Sequence, residues 1–130
     1  MKMLVIQSIP YVLELVREEL NIAFPQLNGQ VLYESEFEKS LEVVPKTQDL
    51  VVITSDFFHD KEDILFRREE KNSGRLAQEI KKINPRARVY AFSSCQPLSA
   101  EYLDGFFRKS SGGDNTLEEI TKIVRELGLV

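Results

Sequence analysis

The side chains best suited to chemistry stand where short apolar runs of the sequence end. Asp56 follows LVVITS, Ser93 ends RVYAFS, and Lys109 ends GFFRK. Gln7 ends a further run, MLVIQ, and Ser8 follows it. An aspartate that accepts a phosphoryl group needs a cation to offset the added charge and donors for the phosphoryl oxygens. A lysine and a hydroxyl supply part of that requirement, provided that the fold brings the ends of these runs together.

The apolar runs themselves have the length and composition of β-strands. In at least three of them the hydrophobicity is continuous rather than alternating, which is typical of parallel strands covered on both faces. The predicted strands span residues 3–7, 30–34, 50–55, 88–93 and 105–109.

Amphipathic helical patterns separate or follow these strands. Apolar residues recur at helical spacing from Tyr11 to Leu20, from Ser73 to Ile83 and from Leu117 to Leu127. Each pattern presents one apolar stripe, as a helix that covers a sheet must. Strand and helix therefore alternate along almost the whole chain.

Several residues carry the sequence signals of helix ends. SEFE from Ser35 and TLEE from Thr116 are capping-box patterns, in which each side chain satisfies an amide of the first turn. Ser8 is predicted to be the N-cap of a helix with Pro10 in its first turn. Gly128 is predicted to close the last helix.

The alternation predicts an α/β fold, because right-handed crossovers place helices on both faces of a parallel sheet. We expect a flavodoxin-like, three-layer, doubly wound sheet of five strands in the order 2-1-3-4-5. A chain of 130 residues without an internal repeat or linker suits one domain, residues 1–130. In such sheets the functional crevice lies outside the carboxyl ends of the strands. Gln7, Asp56, Ser93 and Lys109 are accordingly predicted at one edge.

Three motifs of the chain resemble those of the response-regulator receiver domain, of the chemotaxis-receiver type. They are VVITSD, VYAFSS and GFFRKS, and TLEEITKIVRELGL resembles the last helix of that family. The resemblance extends over nearly the whole chain. It implies that Asp56 occupies the phosphoacceptor position, Ser93 that of the switch hydroxyl and Lys109 that of the phosphate-pairing lysine. It also implies a magnesium ion, held partly by a pair of acids after the first strand.

The sharpest departure from the family pattern lies at that acidic pair, where this sequence has Gln7 and Ser8. Magnesium usually takes one or two carboxylates in addition to water and phosphate oxygens. Glu34 or Asp60 could supply a displaced carboxylate, although nothing in their spacing requires it. The sequence therefore predicts a degenerate metal position with no bound metal or cofactor. Magnesium is expected only if Asp56 is phosphorylated.

Two spacings also depart from the pattern. Asp56 and Gly74, the glycine that matches the start of the family's third crossover helix, are 18 residues apart, which predicts an insertion from His59 to Asn72. Ser93 and Lys109 are only 16 residues apart, so the fourth helix is predicted to be short or absent.

Gly112 and Gly113 suggest another class of function. They precede the last helix, where free backbone amides can hold an anion. With Lys109 they could form the site of a flavodoxin-like domain that binds a small anion or a nucleotide. A flexible turn is the competing interpretation, because neither a Walker spacing nor a dinucleotide fingerprint is present.

Charge is unevenly distributed along the chain, whose net charge is −4. Residues 67–88 carry eight basic and three acidic side chains, a local charge of +5. Such a stripe could attract nucleic acid or an acidic partner. Because no aromatic residues interleave for base stacking, the sequence favours a solvated helix face.

Other features bear on compartment and catalysis. Cys95 is the single cysteine, so no internal disulfide is predicted and a reducing, cytoplasmic setting is expected. The first apolar run is too short for a signal peptide or a membrane span. A Ser/His/Asp nucleophile would have to use His59, the only histidine, and no GxSxG elbow accompanies Ser93. The chain is therefore not predicted to be an enzyme.

These features together favour an atypical, stand-alone receiver, or pseudo-receiver, that binds a protein partner in two-component signalling or a phosphorelay. Magnesium-dependent phosphorylation is not expected. Two alternatives stay open: a response regulator phosphorylated on Asp56, and the anion-binding domain described above. The sequence leaves both the partner and the existence of a homodimer undecided.

Overall fold

The computed structural model describes residues 2–58, 70–110 and 116–130. These residues form a parallel sheet in the order β2-β1-β3-β4-β5, which confirms the predicted fold. The strands are β1 (Met3–Ile6), β2 (Val31–Glu34), β3 (Val51–Thr54), β4 (Arg88–Ser93) and β5 (Gly105–Arg108).

Helices cover both faces of the sheet. They are α1 (Pro10–Ala23), α2 (Phe37–Glu42), α3 (Ser73–Ile83) and α4 (Thr116–Glu126), with a 3₁₀ turn at Pro25–Leu27. Residues 94–104, all of which the structure describes, contain no helix, as the short spacing predicted. Of the predicted insertion only residues 70–72 are described, and the rest lies outside the described residues. Within the described parts of the chain, no helix is both long and apolar enough to cross a bilayer.

The central strands are buried on both faces because their side chains alternate between two apolar cores. One core lies under α1 and α4 and contains Met3, Val5 and Phe92. The other lies under α2 and α3 and contains Leu4, Ile6 and Val52. Every residue of β1 and β3 is buried, which accounts for their continuous hydrophobicity.

The predicted caps of the first two helices are wrong. Ile9, not Ser8, is the N-cap of α1, and no side chain caps that helix. The backbone amide of Ser8 donates to Oγ of Ser55 at 3.2 Å, so a contact with the end of β3 holds this residue instead. Helix α2 begins after Glu36, again without a side-chain cap, so Ser35 does not start a capping box. A tertiary contact therefore replaces the predicted cap at the start of α1.

The last helix ends as predicted and begins close to the predicted residue. Gly128 adopts the left-handed conformation, with φ of +69°, and its amide donates to the carbonyl of Arg125. Thr116, predicted as the N-cap, is the first residue of α4 that the structure describes, and the residues directly before it lie outside the described residues.

Asp104 fixes the helix-free segment between β4 and β5. Its Oδ2 accepts a hydrogen bond from the amide of Val89 at 2.7 Å and lies 2.8 Å from Nζ of Lys81 in α3. Its own amide donates to the carbonyl of Val89 at 2.8 Å. Asp104 therefore joins β4, α3 and the start of β5 without a covering helix.

Candidate functional site

The residues singled out by the sequence lie along one edge of the sheet. All the strand pairs are parallel, so the carboxyl ends of the strands meet there. Gln7 follows β1, Asp56 lies two residues beyond β3, Ser93 ends β4 and Lys109 follows β5. The fold thus places the four residues at a common edge, and their side-chain contacts then differ.

Asp56 is completely buried, with none of its surface exposed. Its Oδ1 accepts a hydrogen bond from Oγ of Ser73 at 2.7 Å and a longer one from the Ser73 amide at 3.4 Å. Ser73 is the first residue of α3 and is itself fully buried. A carboxylate at a helix N-terminus is favourable, because the first amides carry partial positive charge. Asp56 therefore links the end of β3 to the start of α3.

The two positions that match the family's acidic pair, Gln7 and Ser8, are buried, and the Gln7 side chain is bonded locally. Gln7 is 6% exposed, and its Oε1 accepts from the amide of Ile9 at 3.4 Å. Glu34, a candidate for a displaced carboxylate, accepts from the amide of Ser35 at 3.0 Å. The other candidate, Asp60, lies outside the described residues. Among residues 2–58, 70–110 and 116–130, no group of three His, Cys, Asp or Glu side chains could hold a metal ion.

Ser93 supports the turn that follows β4. It is 6% exposed, and its Oγ accepts a hydrogen bond from the amide of Cys95 at 3.2 Å. Its carbonyl accepts from the amide of Lys109 at 2.9 Å, which fixes the end of β5 beside that of β4. The Cys95 side chain is exposed.

Lys109 contacts the opposite layer of the fold from Asp56. Its Nζ lies 5.3 Å from the ring centroid of Phe92, which belongs to the core under α1 and α4. Partial burial lowers the pKa of Lys109, and the nearby Glu119 carboxylate opposes that shift. No ion pair joins Lys109 to a carboxylate in the described parts of the chain. The two residues that the resemblance pairs therefore have separate surroundings.

A polar pocket of about 300 Å³ opens beside Lys109. Ser110, in its wall, donates to the carboxylate of Glu119 through its amide, at 3.1 Å, and through its hydroxyl. Gly112 and Gly113, the predicted anion-binding residues, lie outside the described residues. The described residues that line the pocket are Ser94, Arg108, Lys109, Ser110 and Glu119.

Sequence reasoning missed three residues of this edge: Ser73, Arg108 and Glu119. Ser73 follows Asn72, whose side chain accepts from the amide of Arg75 at 2.9 Å and caps α3. The Asn-Ser-Gly sequence before an apolar helical stripe was a signal for a helix start, but not for a bond to Asp56. Glu119 was assigned to a capping box, and its bond to Ser110 shows another role.

Structural comparison relates this arrangement to known proteins. This chain matches, over 97% of its length, the structure of the receiver (REC) domain of RcsB from Salmonella enterica serovar Typhimurium. That structure was determined with the phosphomimetic BeF₃⁻. The chain has the fold of a response-regulator receiver domain. That match has 14% sequence identity and a TM-score of 0.59, and it covers 88% of the RcsB domain.

Further receiver structures give the same result. The receiver domain of the hybrid histidine kinase CckA matches with 13% identity and a TM-score of 0.57, over 94% of this chain and 97% of that one. The DNA complex of RcsB matches with 18% identity and a TM-score of 0.61, over 97% of this chain. This chain spans 61% of the length of that RcsB chain. The sequence matches no family model, and no curated protein matches it in sequence.

Proposed function

We propose that this protein is an atypical receiver. It binds a protein partner in a signalling pathway without magnesium-dependent phosphorylation of Asp56. The observation that carries the proposal is the complete burial of Asp56, together with the bonds from Ser73 to its Oδ1. A phosphodonor must reach a carboxylate oxygen in line with its leaving group. Because the Asp56 carboxylate is buried and bonded to α3, we favour a structural role for it over a role as a phosphoacceptor.

Charge balance supports the same proposal. A phosphoryl group adds about −1.5 to −2 charges at neutral pH, and magnesium ordinarily offsets much of this charge. Gln7 and Ser8 are neutral where the family resemblance implies acids, so the residues present do not fit a magnesium ion. The ammonium of Lys109 lies against Phe92 and makes no ion pair with Asp56.

Protein binding, rather than catalysis, is the activity that we propose for this domain, in a cytoplasmic setting. The absence of a helix in residues 94–104 gives it a different surface from a receiver that keeps its fourth helix. A homodimer is one form that the interaction could take. Affinity capture with the wild type and with Asp56→Asn, each with and without a phosphodonor, should recover the same partner. Recovery that requires both Asp56 and the donor would support the alternative of a phosphorylated response regulator.

Incubation with acetyl phosphate and magnesium is expected to leave Asp56 unmodified. Intact-protein mass spectrometry at neutral pH measures the modification directly. The RcsB receiver domain, whose structure was determined with BeF₃⁻, is the positive control, and Asp56→Asn is the negative control. A phosphorylated fraction that is present in the wild type and absent from Asp56→Asn would overturn the proposal.

A further inference from the structure

The pocket beside Lys109 has an excess of positive charge among the described residues that line it, since Arg108 and Lys109 face one carboxylate, that of Glu119. Arg108 is exposed and Lys109 is half-buried, and neither side chain forms an ion pair with a carboxylate of residues 2–58, 70–110 or 116–130. Holding the Lys109 ammonium partly out of water is unfavourable when the Glu119 carboxylate is already bonded to Ser110. The lowered pKa of Lys109 is consistent with this cost. A bound anion would offset this energetic cost.

Hydrogen-bond donors accompany the two cations. Ser94 follows β4 and Ser110 lies two residues beyond β5, so their hydroxyls line the same pocket as Arg108 and Lys109. Guanidinium and ammonium groups form strong charge-assisted bonds with oxyanions, and hydroxyls add further donors. The volume of about 300 Å³ admits a small oxyanion with bound water.

We propose that this pocket binds a small oxyanion of the phosphate type, held by Arg108 and Lys109 with Ser94 and Ser110 as hydroxyl donors. Asp56 and Gln7 are not among the described residues that line it. The binding is reversible and forms no covalent bond. It goes beyond the proposed function and is independent of it, since an unphosphorylated Asp56 is compatible with either a filled or an empty pocket.

Glu119 is an internal competitor for this site. Its carboxylate accepts from the amide and hydroxyl of Ser110, donors that an incoming oxyanion would also use. It is also the carboxylate that acts on the pKa of Lys109. Neutralising Glu119 should therefore strengthen anion binding, whereas neutralising either cation should weaken it.

Titration with inorganic phosphate at constant ionic strength, followed by amide NMR, tests the proposal. We expect saturable shifts at Ser94, Arg108 to Ser110 and Glu119. Lys109→Gln and Arg108→Gln should each weaken binding by about tenfold, the value of one charge-assisted hydrogen bond. Lys109→Arg, which keeps the charge, should retain most of the affinity.

The matched control is Lys46→Gln, which removes an exposed positive charge before the start of β3, at the edge of the sheet opposite the pocket. It should change the affinity by less than about twofold, because exposed charges are well screened. Glu119→Gln should strengthen binding several-fold. The absence of saturable shifts in the wild type would overturn the proposal. So would an equal loss of affinity in Lys46→Gln and Lys109→Gln, or weaker binding in Glu119→Gln with a retained native spectrum.

Discussion

Replacement of Asp56 by alanine is expected to lower the free energy of unfolding by about 3 kcal/mol, because buried donors then lose a charged acceptor. The hydroxyl and amide of Ser73 would lose their bonds to Oδ1 where neither residue has exposed surface. Asp56→Asn should cost less, about 1 kcal/mol, since an amide oxygen still accepts from Ser73. Urea denaturation at neutral pH measures both effects.

Ser73→Ala supplies the matched test of the bond itself. A double-mutant cycle between Asp56→Asn and Ser73→Ala is expected to give a coupling energy of about 1 kcal/mol or more, since the two side chains are in contact. Stability of Asp56→Ala within about 0.5 kcal/mol of the wild type would contradict the structural role, because that is the usual range for unconstrained surface positions.

Gly74→Ala is expected to destabilise the domain by about 2 kcal/mol, although alanine favours a helix by about 1 kcal/mol over glycine. A Cβ at position 74 would lie 2.2 Å from the carbonyl oxygen of Ser99 and 3.0 Å from its carbonyl carbon. The obstacle is backbone, so the helix-free segment would have to move away from α3. Thermal and urea unfolding should both show the loss.

Gly29→Ala is the control, because it measures the cost of backbone strain where no steric clash occurs. Gly29 has φ of +81°, and a Cβ there would meet no atom within 4 Å. Its replacement should cost about 1 kcal/mol through backbone strain alone. If Gly74→Ala were as stable as the wild type, the packing of residue 99 against α3 would be wrong. A gain of about 1 kcal/mol in Gly74→Ala, the helix preference of alanine, would mean that the segment yields without a steric cost.

The fold was predictable because both faces of the central strands are buried. The unbroken apolar runs at Met3–Ile6 and Val51–Thr54 satisfy two cores at once, and that requirement identifies a parallel, covered sheet. The short interval between Ser93 and Lys109 similarly left little chain for a helix. These signals are local and depend on pattern and length.

The directions of the side chains at the sheet edge were harder to predict from the sequence. The alternation of side chains along a strand nevertheless indicates part of them. Asp56 has the same parity as Val52, which lies in the core under α2 and α3. Lys109 has the same parity as Phe107, which packs against the core under α1 and α4. Because successive side chains of a strand point to opposite faces of the sheet, Asp56 and Lys109 lie on opposite faces.

The bonding partners could not be read from the sequence. Ser73 is 17 residues from Asp56, and Glu119 is nine residues from Ser110, so each bond depends on how distant elements pack. The failed cap at Ser8 has a related cause. Its backbone amide donates to Oγ of Ser55, which is 47 residues away in the sequence.

Titration of magnesium and beryllofluoride, followed by amide NMR, directly measures whether the wild-type protein binds a metal ion and a phosphoryl mimic at Asp56. We expect no saturable shifts around Gln7 and Asp56 in the wild type, residues that do not line the pocket beside Lys109. The variant Gln7→Asp/Ser8→Asp, which restores carboxylates at the sheet edge, is expected to gain magnesium affinity, because carboxylates are the protein ligands that magnesium prefers. Saturable shifts of the wild-type amides at Gln7 and Asp56 would contradict this expectation and indicate that Asp56 is an accessible phosphoacceptor.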